Sequence, residues 1–168
     1  DQALSRLVRQ GKIQRVRRGL YAWPRMGALL NRPMVQSPDD LAQAWAKKNG
    51  LRLVPSGAYA ANLLGLSTQV PAKIIYYTNG RTKTLTLGPY SIQILNRGPK
   101  TMDVQGRVSL LVFQALRYLG KDDVTPEMIA RLRALLSKQD KAELKHNLHH
   151  APAWMKPLLE QTVEREAR

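Results

Sequence analysis

Basic and amide side chains crowd the first 32 residues, where they could bind a polyanion. Eight of the 27 Lys and Arg residues lie in this segment with Asp1 as its single acid, and the whole chain has a formal net charge of +15. Lysine and arginine attract nucleic-acid phosphates, and the arginine fork also matches a guanine edge. We therefore predict a site for duplex DNA here, with RNA or another polyanion, or a solvated basic face without a ligand, as alternatives.

A helix and a hairpin are predicted to position these side chains. At 100° per residue, residues 2–10 form an amphipathic helix whose apolar side holds Leu4, Leu7 and Val8. Gly11 is typical of a helix C-terminus, and residues 12–23 predict a hairpin. The order is that of a winged helix, in which a helix enters the major groove and the hairpin follows the backbone. The predicted DNA-binding residues are Gln2, Ser5, Arg6 and Arg9 on the polar helix face, and Lys12, Arg15, Arg17 and Arg18 in the hairpin, which turns at Arg18-Gly19.

Three histidines, His146, His149 and His150, form a second candidate cluster. On one helical face their spacing could hold a metal, and Glu143 adds an E-x-x-H pair. The sequence contains no second such pair, and histidine also suits a helix C-terminus. Cysteine is absent, and no nucleotide-binding or nucleophile-elbow motif occurs. We therefore expect no metal, no cofactor, no catalytic residue and no enzymatic activity, with a nuclease or transferase kept as a third alternative.

The remaining pattern predicts an α+β protein. Residues 24–38 form a Pro- and Gly-rich connection, and Ser37 and Pro38 begin a helix that ends at Gly50. Further strands are predicted at 51–54, 73–78, 82–87 and 90–95, with hairpin turns at Asn79-Gly80 and Gly88-Pro89. Further helices are predicted at 57–64, 104–119, 126–137, 139–149 and 153–166. We thus expect a partial winged helix-turn-helix in residues 1–34, followed in residues 35–168 by an α+β domain with a small antiparallel sheet and a helical C-terminus.

The chain carries no apparent membrane or export signal. It has no run of 18 apolar residues, and its polar, basic start lacks the apolar stretch of a signal peptide. It begins at Asp1 within what is predicted to be a helix, so we expect that the front of the winged helix is missing.

Four segments resemble AbiEi-type antitoxins of type IV toxin–antitoxin systems. Residues 4–24 (LSRLVRQGKIQRVRRGLYAWP) are similar to the last helix and wing of the N-terminal domain in that family. Residues 56–73, 76–88 and 116–136 resemble the domain that follows in a common subgroup, and the LGLSTQVP block is its more specific motif. The wing pattern by itself occurs in many regulators.

The resemblance implies a cytoplasmic bacterial protein encoded beside a nucleotidyltransferase-like toxin. It implies that the N-terminal part represses the operon by binding double-stranded operator DNA, and that the C-terminal part carries antitoxicity without a stable toxin complex. The first helices of the family's winged helix have no counterpart here, which bears on the strength of DNA binding. The alternative is an antitoxin or interaction module that binds protein or RNA, its charge serving a toxin or tRNA interface, without specific DNA readout.

Overall fold

The structure, a computed structural model, describes residues 2–26, 33–34 and 36–164. The chain is α+β, and the predicted helix–hairpin order is observed at its start. A two-residue ladder, which the sequence did not predict, lies within the expected connection 24–38; residues 27–32 and 35 of that connection are outside the described ranges. The first elements are α1 Gln2–Arg9, β1 Gln14–Arg17, β2 Leu20–Ala22, β3 Arg25–Met26, β4 Pro33–Met34 and α2 Pro38–Lys48.

A four-stranded sheet and a group of helices form the rest of the described chain. The sheet order is β5-β6-β8-β7, antiparallel at both outer pairs and parallel between β6 and β8. Its strands are β5 Val54–Pro55, β6 Ile74–Thr78, β7 Lys83–Leu87 and β8 Tyr90–Asn96. The helices are α3 Gly57–Leu63, α4 Pro99–Met102, α5 Arg107–Leu119, α6 Pro126–Leu135, α7 Lys138–His146 and α8 Lys156–Val163, with 3-10 turns at Lys121–Asp123 and Leu148–His150.

The predicted hairpin turn at Asn79-Gly80 is wrong. β6 pairs with β8 in parallel, from Ile74 opposite Ile92 onward, and not with β7. Gly80 lacks the positive φ that a type I′ turn requires. The side chains of Ile92 and Ile94 are fully buried, so β8 takes the central place between β6 and β7. The hairpin predicted at Gly88-Pro89, between β7 and β8, is confirmed.

Capping residues place the helix starts where the sequence predicts them. The Ser37 hydroxyl accepts a hydrogen bond from the Asp40 amide at 3.1 Å, and Thr125 does the same for Met128.

Other helix limits differ from the prediction. α7 ends at His146 because Asn147 caps it, and the chain continues as a 3-10 turn, so the three histidines do not share one α-helical face. Within the described residues, no group of three His, Cys, Asp or Glu side chains is placed to hold a metal ion.

Two hydrophobic clusters hold these elements together. One lies among α3 and α5 to α8, and the other lies between α2 and the sheet, around Trp45 and Tyr76. Val16 and Leu20 of the hairpin pack against the second cluster, so the hairpin shares a core with the sheet. The division into residues 1–34 and 35–168 stays a prediction. α5, with 13 residues, is the longest helix described, and none of the described helices has the length and apolarity to cross a bilayer.

Candidate nucleic-acid interface

Helix α1 is stopped by a glycine that turns the chain directly into the hairpin. Gly11 has φ 68°, its amide donates to the Val8 carbonyl at 3.0 Å, and the Lys12 amide donates to the Leu7 carbonyl at 3.0 Å. These two bonds form a Schellman motif, which satisfies carbonyls that the helix end would leave unpaired. The predicted C-cap at Gly11 is therefore confirmed, and the motif sets the direction in which the chain leaves α1.

The polar face of α1 is open along its whole length. Leu4, Leu7 and Val8 are half-buried on the opposite side, and no residue of the helix is fully buried. The four predicted readout residues are exposed and line one surface depression: Gln2, Ser5, Arg6 and Arg9. A helix that covers only part of its apolar side and leaves amide, hydroxyl and guanidinium groups exposed can present hydrogen-bond donors and acceptors to base edges.

The hairpin carries its basic side chains on the outside. β1 pairs with β2 around Arg18 and Gly19, and Gly19 has φ 72°, a conformation that glycine adopts without strain. The register shifts between Arg15 and Arg17, which leaves Val16 at a bulge with its side chain turned inward. All four predicted phosphate-binding residues of this hairpin are exposed: Lys12, Arg15, Arg17 and Arg18.

Three polar contacts attach the hairpin to the sheet and to α2. The carbonyl of Val16 accepts a hydrogen bond from the Gly88 amide at 3.2 Å. The Arg17 guanidinium donates to the Thr86 carbonyl at 3.2 Å, and the Lys48 ammonium donates to the Gly19 carbonyl. The sequence predicted Arg17 only as a DNA-binding residue. The structure shows that one of its guanidinium donors also binds a backbone carbonyl.

The charge of this surface is not neutralised by acids in the described part of the chain. Across residues 2–26, 33–34 and 36–164, the single ion pair joins Arg107 to Asp39, far from the hairpin in sequence. The carbonyl that accepts from Arg17 carries no formal charge, so Arg17 keeps its positive charge available to an anion. α1 and the hairpin thus both present exposed basic side chains that have no acidic partner among the described residues.

A buried polar group centred on Asp39 is the second arrangement with possible chemistry, and the sequence did not predict it. Asp39 accepts hydrogen bonds from the Tyr76 hydroxyl at 2.7 Å and from Arg107. Burial, reinforced by the neighbouring Asp39 carboxylate, raises the pKa of Tyr76 far above its ordinary value. Because the Asp39 oxygens are used by residues of β6 and α5, this group ties α2 to both elements, and we assign it a structural role.

Arg52 also has a structural role. Its guanidinium donates to the carbonyls of Met102 at 2.7 Å, of Val104, and of Gly106 at 3.4 Å. Arg52 lines two cavities, of about 340 Å³ and 440 Å³. Its donors hold the segment that leads into α5, and burial lowers the pKa of the guanidinium.

One family model matches most of the chain. Residues 1–144 match DUF6088, a family of unknown function. No curated protein matches the chain significantly. The matched range begins with α1 and extends into α7, so it includes every residue of the candidate interface.

Proposed function

The chain belongs to the DUF6088 family, and we propose that it is a DNA-binding transcriptional repressor. The observation that carries the proposal is the exposed polar face of α1 beside a hairpin with four basic residues and no ionic partner in the described ranges. In this proposal α1 lies in the major groove and the hairpin lies along the phosphate backbone.

The two elements have different tasks in this proposal. Arg6 and Arg9 of α1, with Gln2 and Ser5, have the donors and acceptors that distinguish base pairs in the major groove. Lys12 and the hairpin arginines contact phosphate, which positions the protein without specifying sequence. The Schellman motif at Gly11 links the two elements, because it gives the chain a defined turn where it leaves the helix for the hairpin.

The biological setting that we propose rests on the resemblance to AbiEi-type antitoxins. There the repressed operon encodes the protein itself and a nucleotidyltransferase-like toxin, which the protein counteracts in the cytoplasm without enzymatic activity. The residues that resemble the antitoxin part lie in α3, the sheet and α5 to α6, and none of them belongs to α1 or the hairpin.

A binding titration tests the proposal. Residues 1–168 are titrated into a labelled 30-bp duplex, which carries sites selected from a random library, at two salt concentrations between 50 and 200 mM. We expect nanomolar to micromolar binding that weakens steeply with salt, and at least about tenfold preference for selected over random duplex. Equal affinity for both duplexes, or tighter binding to single-stranded or structured RNA, would favour the alternative of a basic interaction module without specific DNA readout.

A further inference from the structure

The middle of the chain is also basic, although its cations are spread over about twice as many residues as those of residues 1–32. Residues 41–102, which include most of α2 and the whole sheet, contain no Asp or Glu. They contain eight basic residues: Lys47, Lys48, Arg52, Lys73, Arg81, Lys83, Arg97 and Lys100. A folded segment of this length without an acid creates a positive potential that attracts polyanions. Where its exposed cations lie relative to the hairpin therefore bears on how the chain binds DNA.

The tip of the hairpin is next to the C-terminus of α2. The hydrogen bond from Gly88 to Val16 sets the hairpin beside the end of β7, and that from Arg17 to Thr86 carries the contact back along the strand. At the tip, the Lys48 ammonium reaches the Gly19 carbonyl. From Val16 to its tip, the hairpin therefore follows β7 in the direction of Lys83. The tip itself contacts Lys48 at the end of α2.

Two further cations lie beyond that tip. The Lys83 ammonium sits 4.4 Å from the ring centre of Trp45, which precedes Lys48 by one helical turn. Gly80 lies against the side chain of Leu51, three residues after Lys48, so its neighbour Arg81 follows a residue that packs on the segment after α2. All three cations, Lys48, Arg81 and Lys83, are exposed, and we refer to them as the sheet flank.

We infer that the sheet flank binds phosphates of the same duplex beyond the hairpin tip, an inference that rests on the proposed function. Lys83 lies three residues along β7 from Thr86, or about 10 Å, which is about three base pairs along the duplex axis. The interface would therefore continue from the winged-helix elements onto the sheet.

Phosphate is the ligand that fits these side chains best. The Lys83 ammonium lies over the Trp45 ring while the residue stays exposed, so its charge is held at a defined place that a phosphate can still reach. Lysine acts as a point charge, which suits backbone contacts, and the sheet flank has no carboxylate in the chain segment around it. Affinity should respond to these residues on any duplex, while sequence preference stays with α1.

The first test measures the salt dependence of duplex binding for the charge-removing variant R81Q/K83Q. K138Q/K145Q, which removes two exposed lysines of α7, is the matched control, and Lys48 is left intact because it contacts Gly19. We expect the slope of log K against log salt to fall by about 1 to 2 in R81Q/K83Q and by clearly less in the control. An unchanged slope, or an equal fall in the control, overturns the inference, whereas absence of duplex binding by the parent chain overturns the proposed function.

A second test does not depend on removing charge. The chain has no cysteine, so a single A44C substitution can carry a tethered DNA-cleaving reagent on the exposed side of α2, one turn before Lys48. A134C on α6, also an exposed Ala-to-Cys change, is the control. We expect strand cuts from position 44 and none from position 134. No cuts from position 44 on a bound duplex contradict the inference.

Discussion

The backbone amide of Gly88, at the end of β7, donates a hydrogen bond to the carbonyl of Val16 at 3.2 Å. Val16 is the residue at the β1 bulge, and a bulge leaves a residue outside the ladder of its own hairpin. The irregularity therefore serves to join the hairpin to the sheet edge. With Val16 and Leu20 packed on the shared core, the hairpin has a fixed orientation relative to the sheet.

The two arginines near the hairpin tip should separate DNA affinity from hairpin anchoring. R18A should flatten the salt dependence of duplex binding by about 1 without changing the thermal midpoint, because Arg18 is exposed and makes no hydrogen bond within the described residues. R17A should flatten the slope similarly and also lower the midpoint, because it removes the bond to Thr86. Binding titrations and thermal unfolding of both variants check this.

Two outcomes with R17A and R18A would contradict this prediction. If R18A and R17A leave the salt slope of the parent chain intact, Arg17 and Arg18 do not contact phosphate, and the tip of the hairpin lies outside the interface. If the loss for either variant is confined to A·T-rich duplexes, the arginine enters a narrow minor groove instead of following the backbone.

Arg6 is predicted to read a base. R6A should cost about 1–3 kcal/mol on a selected site and much less on random duplex, so that the preference between the two narrows. R117A, which removes an exposed arginine from the last turn of α5, is the matched control and should leave both affinities unchanged. Competition titrations measure the ratio, and an equal loss on both duplexes would assign Arg6 to phosphate contact.

Local signals in the sequence predicted much of this architecture, whereas long-range pairing escaped them. The α+β class, the cap at Ser37 and the helix stop at Gly11 follow from patterns within a few residues. The parallel pairing of β6 with β8 depends on which strand is buried centrally, and a local Asn-Gly pair does not encode that. Lys48 and Gly19 are 29 positions apart, and Arg107 and Asp39 are 68 positions apart. No local motif could therefore predict these contacts.

The close approach of α3 and α5 requires a glycine at position 57. A Cβ atom there would lie 2.6 Å from the Tyr118 Cβ and 2.9 Å from the Gln114 carbonyl oxygen. G57A should therefore destabilise the fold by about 1–3 kcal/mol, although alanine favours helices elsewhere. G98A is the control, since a Cβ at Gly98 meets nothing within 4 Å, and it should change stability by less than about 1 kcal/mol. Urea unfolding of both variants tests this, and equal stabilities would mean that the helices separate at little cost.

Tyr76 should make the fold sensitive to alkaline pH. Burial raises its pKa in the folded state above the unfolded value of about 10, so the folded form holds the proton more tightly. Its contribution to stability is complete below pH 10 and falls above it, by about 1.4 kcal/mol per pH unit until the folded-state pKa is reached. Y76F should lose about 1–3 kcal/mol at pH 7 with the bond to Asp39, and should lack this additional alkaline decline.

Urea unfolding from pH 8 to pH 11 measures the effect, with Y118F as the control because Tyr118 is half-exposed. The control should follow the parent chain throughout. Parallel pH curves for Y76F and the parent chain would show that the Tyr76 hydroxyl ionises as readily in the folded state as in the unfolded state.

The two proposed activities, repression and antitoxicity, should be separable by substitution within residues 1–168. The residues that resemble an antitoxin part lie beyond residue 35, whereas the predicted readout side chains lie on α1. Removing residues 1–34 would expose the core that Val16 and Leu20 cover and could unfold the rest of the chain. Substitutions that remove charge but keep all 168 residues avoid this problem. R6A/R9A should release transcription of the operon while still rescuing growth against the co-expressed toxin, because exposed side chains on α1 do not support that core. A reporter fusion and a growth assay in the same cells measure the two effects. K145Q, which removes an exposed lysine of α7 outside the segments that resemble the antitoxin part, is the control expected to retain both. Loss of rescue in a folded R6A/R9A variant would show that antitoxicity itself works through the basic N-terminal surface.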